Sequence, residues 1–76
     1  MSLSQLETFM ADGTPVFYIQ QEHIYTSSIF EISVMRSGTY LRLYDGTMLN
    51  LRNFGTVAFW TEDEAKKALE REGNHA

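Results

Sequence analysis

The chain predicts a β-rich α+β fold. Four or five antiparallel strands curl into a small barrel or half-barrel, with a helix at the C-terminus and a short helix or a loose start at the N-terminus. Three observations carry this. Phe30-Glu31-Ile32-Ser33-Val34-Met35 and Thr39-Tyr40-Leu41-Arg42-Leu43-Tyr44 alternate between two faces, the period of half-buried strands. Ser37-Gly38 and Asp45-Gly46 punctuate them as hairpin turns. Thr61-Glu62-Asp63-Glu64 opens a helix by its capping pattern.

In chain order, Ser4-Gln5-Leu6-Glu7 fits a capping box with Ser4 as N-cap, and Leu3, Leu6, Phe9 and Met10 recur at helical spacing. A helix of about two turns, ending before Asp12-Gly13, follows from that spacing. Such a helix is unstable alone and must dock on the sheet. Pro15 to Gln20 is the first strand, apolar on both faces, so alternation does not orient it. Gln21 to Ser28 reads as a connection that extends a strand at either end.

The central meander sets the register. A two-residue Ser37-Gly38 loop pairs Arg36 with Thr39, Val34 with Leu41 and Ile32 with Leu43. For the second turn, a three-residue loop of Tyr44-Asp45-Gly46 pairs Leu41 with Leu49 and Arg42 with Met48. A two-residue Asp45-Gly46 loop would mix the faces, whereas the longer loop puts Leu41, Leu43, Leu49 and Leu51 together, with Gly46 in the left-handed position. Thr56 to Trp60 is the last strand, with Val57 and Phe59 inward. The expected core is Phe17 or Tyr18, with Ile19, Phe30, Ile32, Val34, Leu41, Leu43, Leu49, Leu51, Val57, Phe59 and Leu69.

In the C-terminal helix, Thr61 is the cap and Glu64 reaches back to it, with Trp60 and Ala65 placed for a hydrophobic staple. Glu62–Lys66 and Asp63–Lys67 are i,i+4 pairs, and Gly73 is a terminator. The apolar stripe is only Ala65, Ala68 and Leu69, so the helix lies on the sheet as a closely approaching lid.

With 76 residues, residues 1–76 make one small domain with a modest core. Cysteine is absent, no run is long enough to span a membrane, and no signal peptide opens the chain. These features predict a cytoplasmic protein. The formal net charge of −4 argues against a general nucleic-acid binder, which must neutralise phosphate.

No chemistry-bearing pattern emerges. His23 and His75 are the only histidines, and His23 has Glu22 beside it but no third ligand for a metal. There is no Gly-x-Ser-x-Gly elbow, no phosphate-binding glycine loop and no carboxylate pair at a defined spacing. The sequence therefore predicts a non-enzyme, with no metal and no cofactor.

Phe54-Gly55-Thr56-Val57-Ala58-Phe59-Trp60-Thr61-Glu62-Asp63-Glu64-Ala65-Lys66-Lys67-Ala68-Leu69 resembles the ending of many short uncharacterised proteins of Gram-positive bacteria, their phages and mobile elements. Those end in a strand with a buried aromatic, then Thr, then an acidic helix of the form Glu-Ala-x-x-Ala-Leu. The resemblance covers about the last fifth of the chain and a loose strand pattern upstream. It implies a small Src-homology-3-like barrel or curled sheet with a terminal helix, encoded by a phage or mobile element, and it assigns no active residues.

The candidate site is the outer face of the meander, where Met35, Tyr40, Arg42, Met48, Asn50 and Arg52 fall together with Glu31 and Ser33. Glu31 lies diagonal to Arg42, within reach of an ion pair. Tyr, Arg and Met are the residue types enriched at protein interfaces. The expectation is a non-enzymatic protein-interaction module, its partner a basic protein surface to suit the acidic balance. Self-association through this face or through an unpaired strand edge is a variant. The alternative is a small β-barrel that stacks single-stranded nucleic acid on Tyr40 and the arginines.

Overall fold

The computed structural model describes residues 2–73. Its elements run α1 (Leu3–Asp12), β1 (Pro15–Gln20), β2 (His23–Met35), β3 (Gly38–Leu43), β4 (Met48–Asn50), a 3-10 turn (Leu51–Asn53), β5 (Ala58–Phe59) and α2 (Glu62–Gly73). The five strands form one antiparallel, half-barrel sheet in the order β4-β3-β2-β1-β5. The expected β-rich α+β fold with two terminal helices is thus the fold observed.

β2 shapes the sheet. Its first half, His23 to Ser28, pairs with β1, and its second half, Ile29 to Met35, pairs with β3. Between Ile29 and Glu31 the register shifts, so Ile29 and Phe30 together oppose Leu43. This β-bulge bends the strand and changes the parity of its faces. Tyr25, Ser27 and Ile29 share a face with Val16 and Tyr18, whereas beyond the bulge Ile32 takes that face, opposite Leu41.

The bulge corrects the expected core. Ile29 is fully buried, while Phe30 is 53 % exposed and packs edge-on against Tyr44, ring centroids 5.2 Å apart. Val34, past the end of the core layer, is 64 % exposed, and Ile32 is half-buried. Val57 is also exposed, because β5 begins one residue later and buries Ala58 and Phe59 instead. Leu51 opens the 3-10 turn rather than prolonging β4, and still packs against the core.

The β2–β3 turn is Arg36-Ser37, not Ser37-Gly38. Met35 pairs with Gly38, Val34 with Thr39 and Ile32 with Leu41, two residues away from the expected register. The positive φ falls on Gly38, at 143°, immediately after a turn whose own residues have negative φ. A two-residue slip preserves the side-chain parity, so Leu41 and Leu43 still point inward. The three-residue β3–β4 loop forms as expected. Leu41 faces Leu49, Arg42 faces Met48, and Gly46 has φ 91°.

Each helix covers a different face of β1. Leu6 of α1 joins Val16, Tyr18, Ile29, Leu41, Leu43, Leu49 and Ala58 in the main core, edged by Phe9, Phe54 and Trp60. Ala65 and Ala68 of α2 join Phe59, Phe17, Ile19 and Ile24 in a second cluster on the opposite face. β1 is apolar on both faces because it is covered on both. Trp60 belongs to the first cluster, stacked on Phe54 at 4.3 Å, so it forms no staple with Ala65.

The caps differ in one place. α1 is capped by Ser2, two residues before Ser4, in a Ser-x-x-Gln box closed through Gln5. The earlier start lengthens the helix to 10 residues, nearly three turns. At α2 the Thr61 hydroxyl accepts the Glu64 amide (3.3 Å) and donates to the Glu64 carboxylate (2.8 Å). Lys66 pairs with Glu62 at 2.8 Å, while among the described residues Asp63 and Lys67 form no ion pair. α2 runs through Gly73, the last residue described.

Gln21-Glu22 is the two-residue loop between β1 and β2, with φ of 52° and 66°. The twist of the hairpin requires this left-handed turn, but Asn-Gly is the sequence that suits it. Each non-glycine residue in this region costs about 1 kcal/mol. The double substitution Gln21→Asn/Glu22→Gly is expected to raise the unfolding free energy by about 1 kcal/mol in a urea titration. Ile29→Ala is expected to cost about 3 kcal/mol and Phe30→Ala less than about 1 kcal/mol. The sequence alternation alone would rank those two the other way.

Candidate protein-binding face

The outer face is built from three rows of paired residues. Glu31, Arg42 and Met48 stand side by side across β2, β3 and β4. Ser33, Tyr40 and Asn50 form the next row. Met35 pairs with Gly38 in the third, where a Cβ on Gly38 would meet Arg52 Nη2 and Asn50 Nδ2 at 3.6 Å. All six expected site residues, Met35, Tyr40, Arg42, Met48, Asn50 and Arg52, are therefore on one side of the meander.

The face is held by its own hydrogen bonds. Arg52 Nη2 donates to the Ser37 carbonyl (3.1 Å), and the Tyr40 hydroxyl lies 3.0 Å from the Ser37 hydroxyl. Asn50 Oδ1 accepts the Arg52 amide (3.0 Å), and the Asn50 amide donates to Asn53 Oδ1 (2.9 Å). The β2–β3 turn, the end of β4 and the 3-10 turn are thus fixed to one another. Glu31 and Arg42 are directly opposite rather than diagonal, because of the two-residue register change, and their side chains approach to 4.0 Å. Both are about half exposed, so this ion pair contributes little to stability.

Neither helix covers this surface: α1 packs on the inner side of β2, and α2 on β1 and β5. Met35 is 55 % exposed and Met48 49 %. Phe30 and Tyr44 are also exposed and pack edge-on, but Phe30 lines the groove against α1 with Ile32 and Val34 and so is not part of this face.

The charge of this face differs from that of the chain. Arg36, Arg42 and Arg52 are the only bases in residues 1–60, and all three lie on the meander or its turns. The chain as a whole is acidic, at −4. Overall acidity suggested a basic partner, but a partner docked on this face meets arginines.

A polar network missing from the sequence reading sits at the other end of the core. The buried Tyr18 donates its hydroxyl to Asp45 Oδ2, and Thr47 Oγ1 donates to the same hydroxyl oxygen (3.0 Å). Asp45 Oδ1 accepts the Thr47 amide (2.9 Å). Burial and the Asp45 contact push the Tyr18 pKa up. Desolvation works against the Asp45 charge, but the hydrogen bonds from Tyr18 and Thr47 outweigh it and hold its pKa below the usual value. The arrangement is a tie between β1 and the β3–β4 loop, across β2.

Among the described residues, no group of three or more His, Cys, Asp or Glu is placed to hold a metal ion. His75 lies outside the described residues. No described helix is long and apolar enough to cross a membrane. No protein-family model, no curated protein sequence and no solved structure matches the chain.

The Tyr18–Asp45 tie has a pH signature. Asp45, with a lowered folded pKa, contributes stability that is present above its unfolded pKa of about 3.9 and lost as pH falls through the folded value. Tyr18, with a raised folded pKa, contributes stability that is present below its unfolded pKa of about 10 and lost as pH rises through the folded value. Tyr18→Phe is expected to lower stability by about 1–2 kcal/mol at neutral pH. It should also flatten both flanks of a melting-temperature profile measured against pH.

Proposed function

We propose that this protein is a non-enzymatic protein-interaction module that binds through the outer face of β2–β3–β4. The observation that carries this reading is the coincidence of three properties on one surface. It is left open by both helices, it carries Arg42 and Arg52 with Arg36 in the adjoining turn, and it sets the first two among Met35, Met48 and Tyr40. Arginine and aromatic residues dominate binding energy where they can be desolvated, and methionine adapts to a partner's shape. The partner segment that suits the face is acidic, with apolar side chains to cover the two methionines.

A phage or mobile-element origin and a cytoplasmic setting rest on the sequence alone. The second reading, binding of single-stranded nucleic acid, draws on the same Tyr40, Arg42 and Arg52. Stacking on one tyrosine with three arginines offers little phosphate neutralisation in a chain of net charge −4.

The test is capture from host lysate with three folded proteins: wild type, Tyr40→Glu/Arg42→Glu, and Val57→Lys as a control distant from the face. The expected result is one partner retained by wild type and the control, with affinity at least ~30-fold weaker for the double variant, about 2 kcal/mol. A partner held equally by all three places the binding site elsewhere. Oligonucleotide binding at low salt that fades steeply as salt rises would select the nucleic-acid reading instead.

A further inference from the structure

The two outer edges of the sheet are blunted. β4 has three residues, and its Asn50 amide is taken by Asn53. β5 has two, and its Ala58 carbonyl accepts the Gly55 amide at 2.8 Å. β2 is different, because β1 accompanies it only as far as Ser28. From Ile29 to Met35 it is paired by β3 on one side, and no described strand pairs with the other.

The direction of the free groups follows from the ladder. Leu43 N–H donates to the Thr47 carbonyl (2.8 Å), and Tyr44 N–H to the Ser28 carbonyl (3.0 Å). Along β3, then, Leu43 and Leu41 address β4, and Arg42 and Tyr40 address β2. Carried through the register, Glu31, Ser33 and Met35 exchange hydrogen bonds with β3. The N–H and C=O of Ile32 and Val34 point the other way, to the open side. Beside that edge runs a mostly apolar groove of about 380 Å3, lined by Leu3, Glu7 and Met10 of α1 and by Phe30, Glu31, Ile32 and Val34 of β2.

We propose that a second copy of this chain adds its own β2 to this edge, antiparallel, about a dyad at Ser33. In that register Ile32 pairs with Val34 of the second copy, and Val34 with its Ile32, so all four outward-pointing N–H groups and all four carbonyls are matched. The two Ser33 side chains meet at the non-hydrogen-bonded centre, where strands come closest and small residues fit. On the inner side, two isoleucines and two valines close over the grooves, which removes the 64 % exposed Val34 from water. On the outer side, Glu31 falls opposite Met35 of the second copy, next to its Arg36. The two Glu31 carboxylates stand about 13 Å apart along the strands, beyond the screening length. The edge is thus complementary to itself in hydrogen bonding, apolar area and charge. The product is a continuous six-stranded sheet, β4-β3-β2-β2-β3-β4, with both arginine faces on one side. This pairing is independent of the outer-face reading.

Light scattering behind a sizing column tests it, across about a hundredfold range of concentration. The expected mass at the high end is twice the single-chain 8.8 kDa. Val34→Lys, and Val34→Pro, which removes an N–H not used by β3, should each run as one chain while keeping the wild-type circular dichroism spectrum. Tyr40→Glu should keep the doubled mass. Amide exchange at Ile32 and Val34 should slow as concentration rises, with that at Ser33 unchanged. A wild type that stays at one chain's mass overturns the pairing, as does a doubled mass that survives Val34→Lys or is lost with Tyr40→Glu.

Discussion

One strand here serves two neighbours that do not overlap. β2 pairs with β1 along its first half and with β3 along its second, and a single extra residue at Phe30 lets it do both. A flat strand with one parity throughout would bury Phe30, Ile32 and Val34 in line and turn Ile29 outward. The bulge bends the sheet so that Ile29 and Leu43 meet Val16, Tyr18 and Leu6 in one core. It also leaves one edge of the second half of β2 without a strand neighbour where β1 turns away into α1. The half-barrel, the core and the open edge follow from that one residue.

The two helices complete what the curled sheet cannot bury alone. A chain of 76 residues has little apolar surface to spare, and β1 must be covered on both faces to bury all of Val16, Phe17, Tyr18 and Ile19. α1 brings the large Leu6 to one face. α2 brings the small Ala65 and Ala68 to the other, so it lies close against Phe17, Ile19 and Phe59. The Tyr18–Asp45–Thr47 tie then fixes the β3–β4 loop to β1, closing the curve on the side where no backbone ladder runs. A buried hydroxyl with two partners holds position without leaving a polar group unsatisfied.

What the helices leave alone is as informative as what they cover. Hydrogen bonds through Ser37, Asn50 and Asn53 fix the outer face of the meander, so its exposed methionines and arginines are presented on a rigid frame. A surface preorganised in this way loses little conformational freedom when a partner settles on it. The concentration of arginine there, in a chain acidic elsewhere, is a local property that net charge conceals.

The sequence by itself determined the elements whose signals are local. Pro15 to Gln20 as a strand, the Tyr44-Asp45-Gly46 loop and its register, the Thr61 cap, and the common face of Tyr40, Arg42, Met48 and Asn50 are all legible from alternation, turn chemistry and capping. Even the expected Ser37-Gly38 turn, found one residue earlier at Arg36-Ser37, left the faces intact, because the resulting two-residue register slip preserves parity. Only the tertiary structure decided the bulge at Phe30, the left-handed Gln21-Glu22 turn, the Tyr18–Asp45 contact and the unpaired edge of β2. None of these has a local signature. Phe30 fits either parity, Gln-Glu is not a turn sequence, and Tyr18 and Asp45 are 27 residues apart. Each is settled by which surfaces must meet to close one small core, and that is a property of the whole chain.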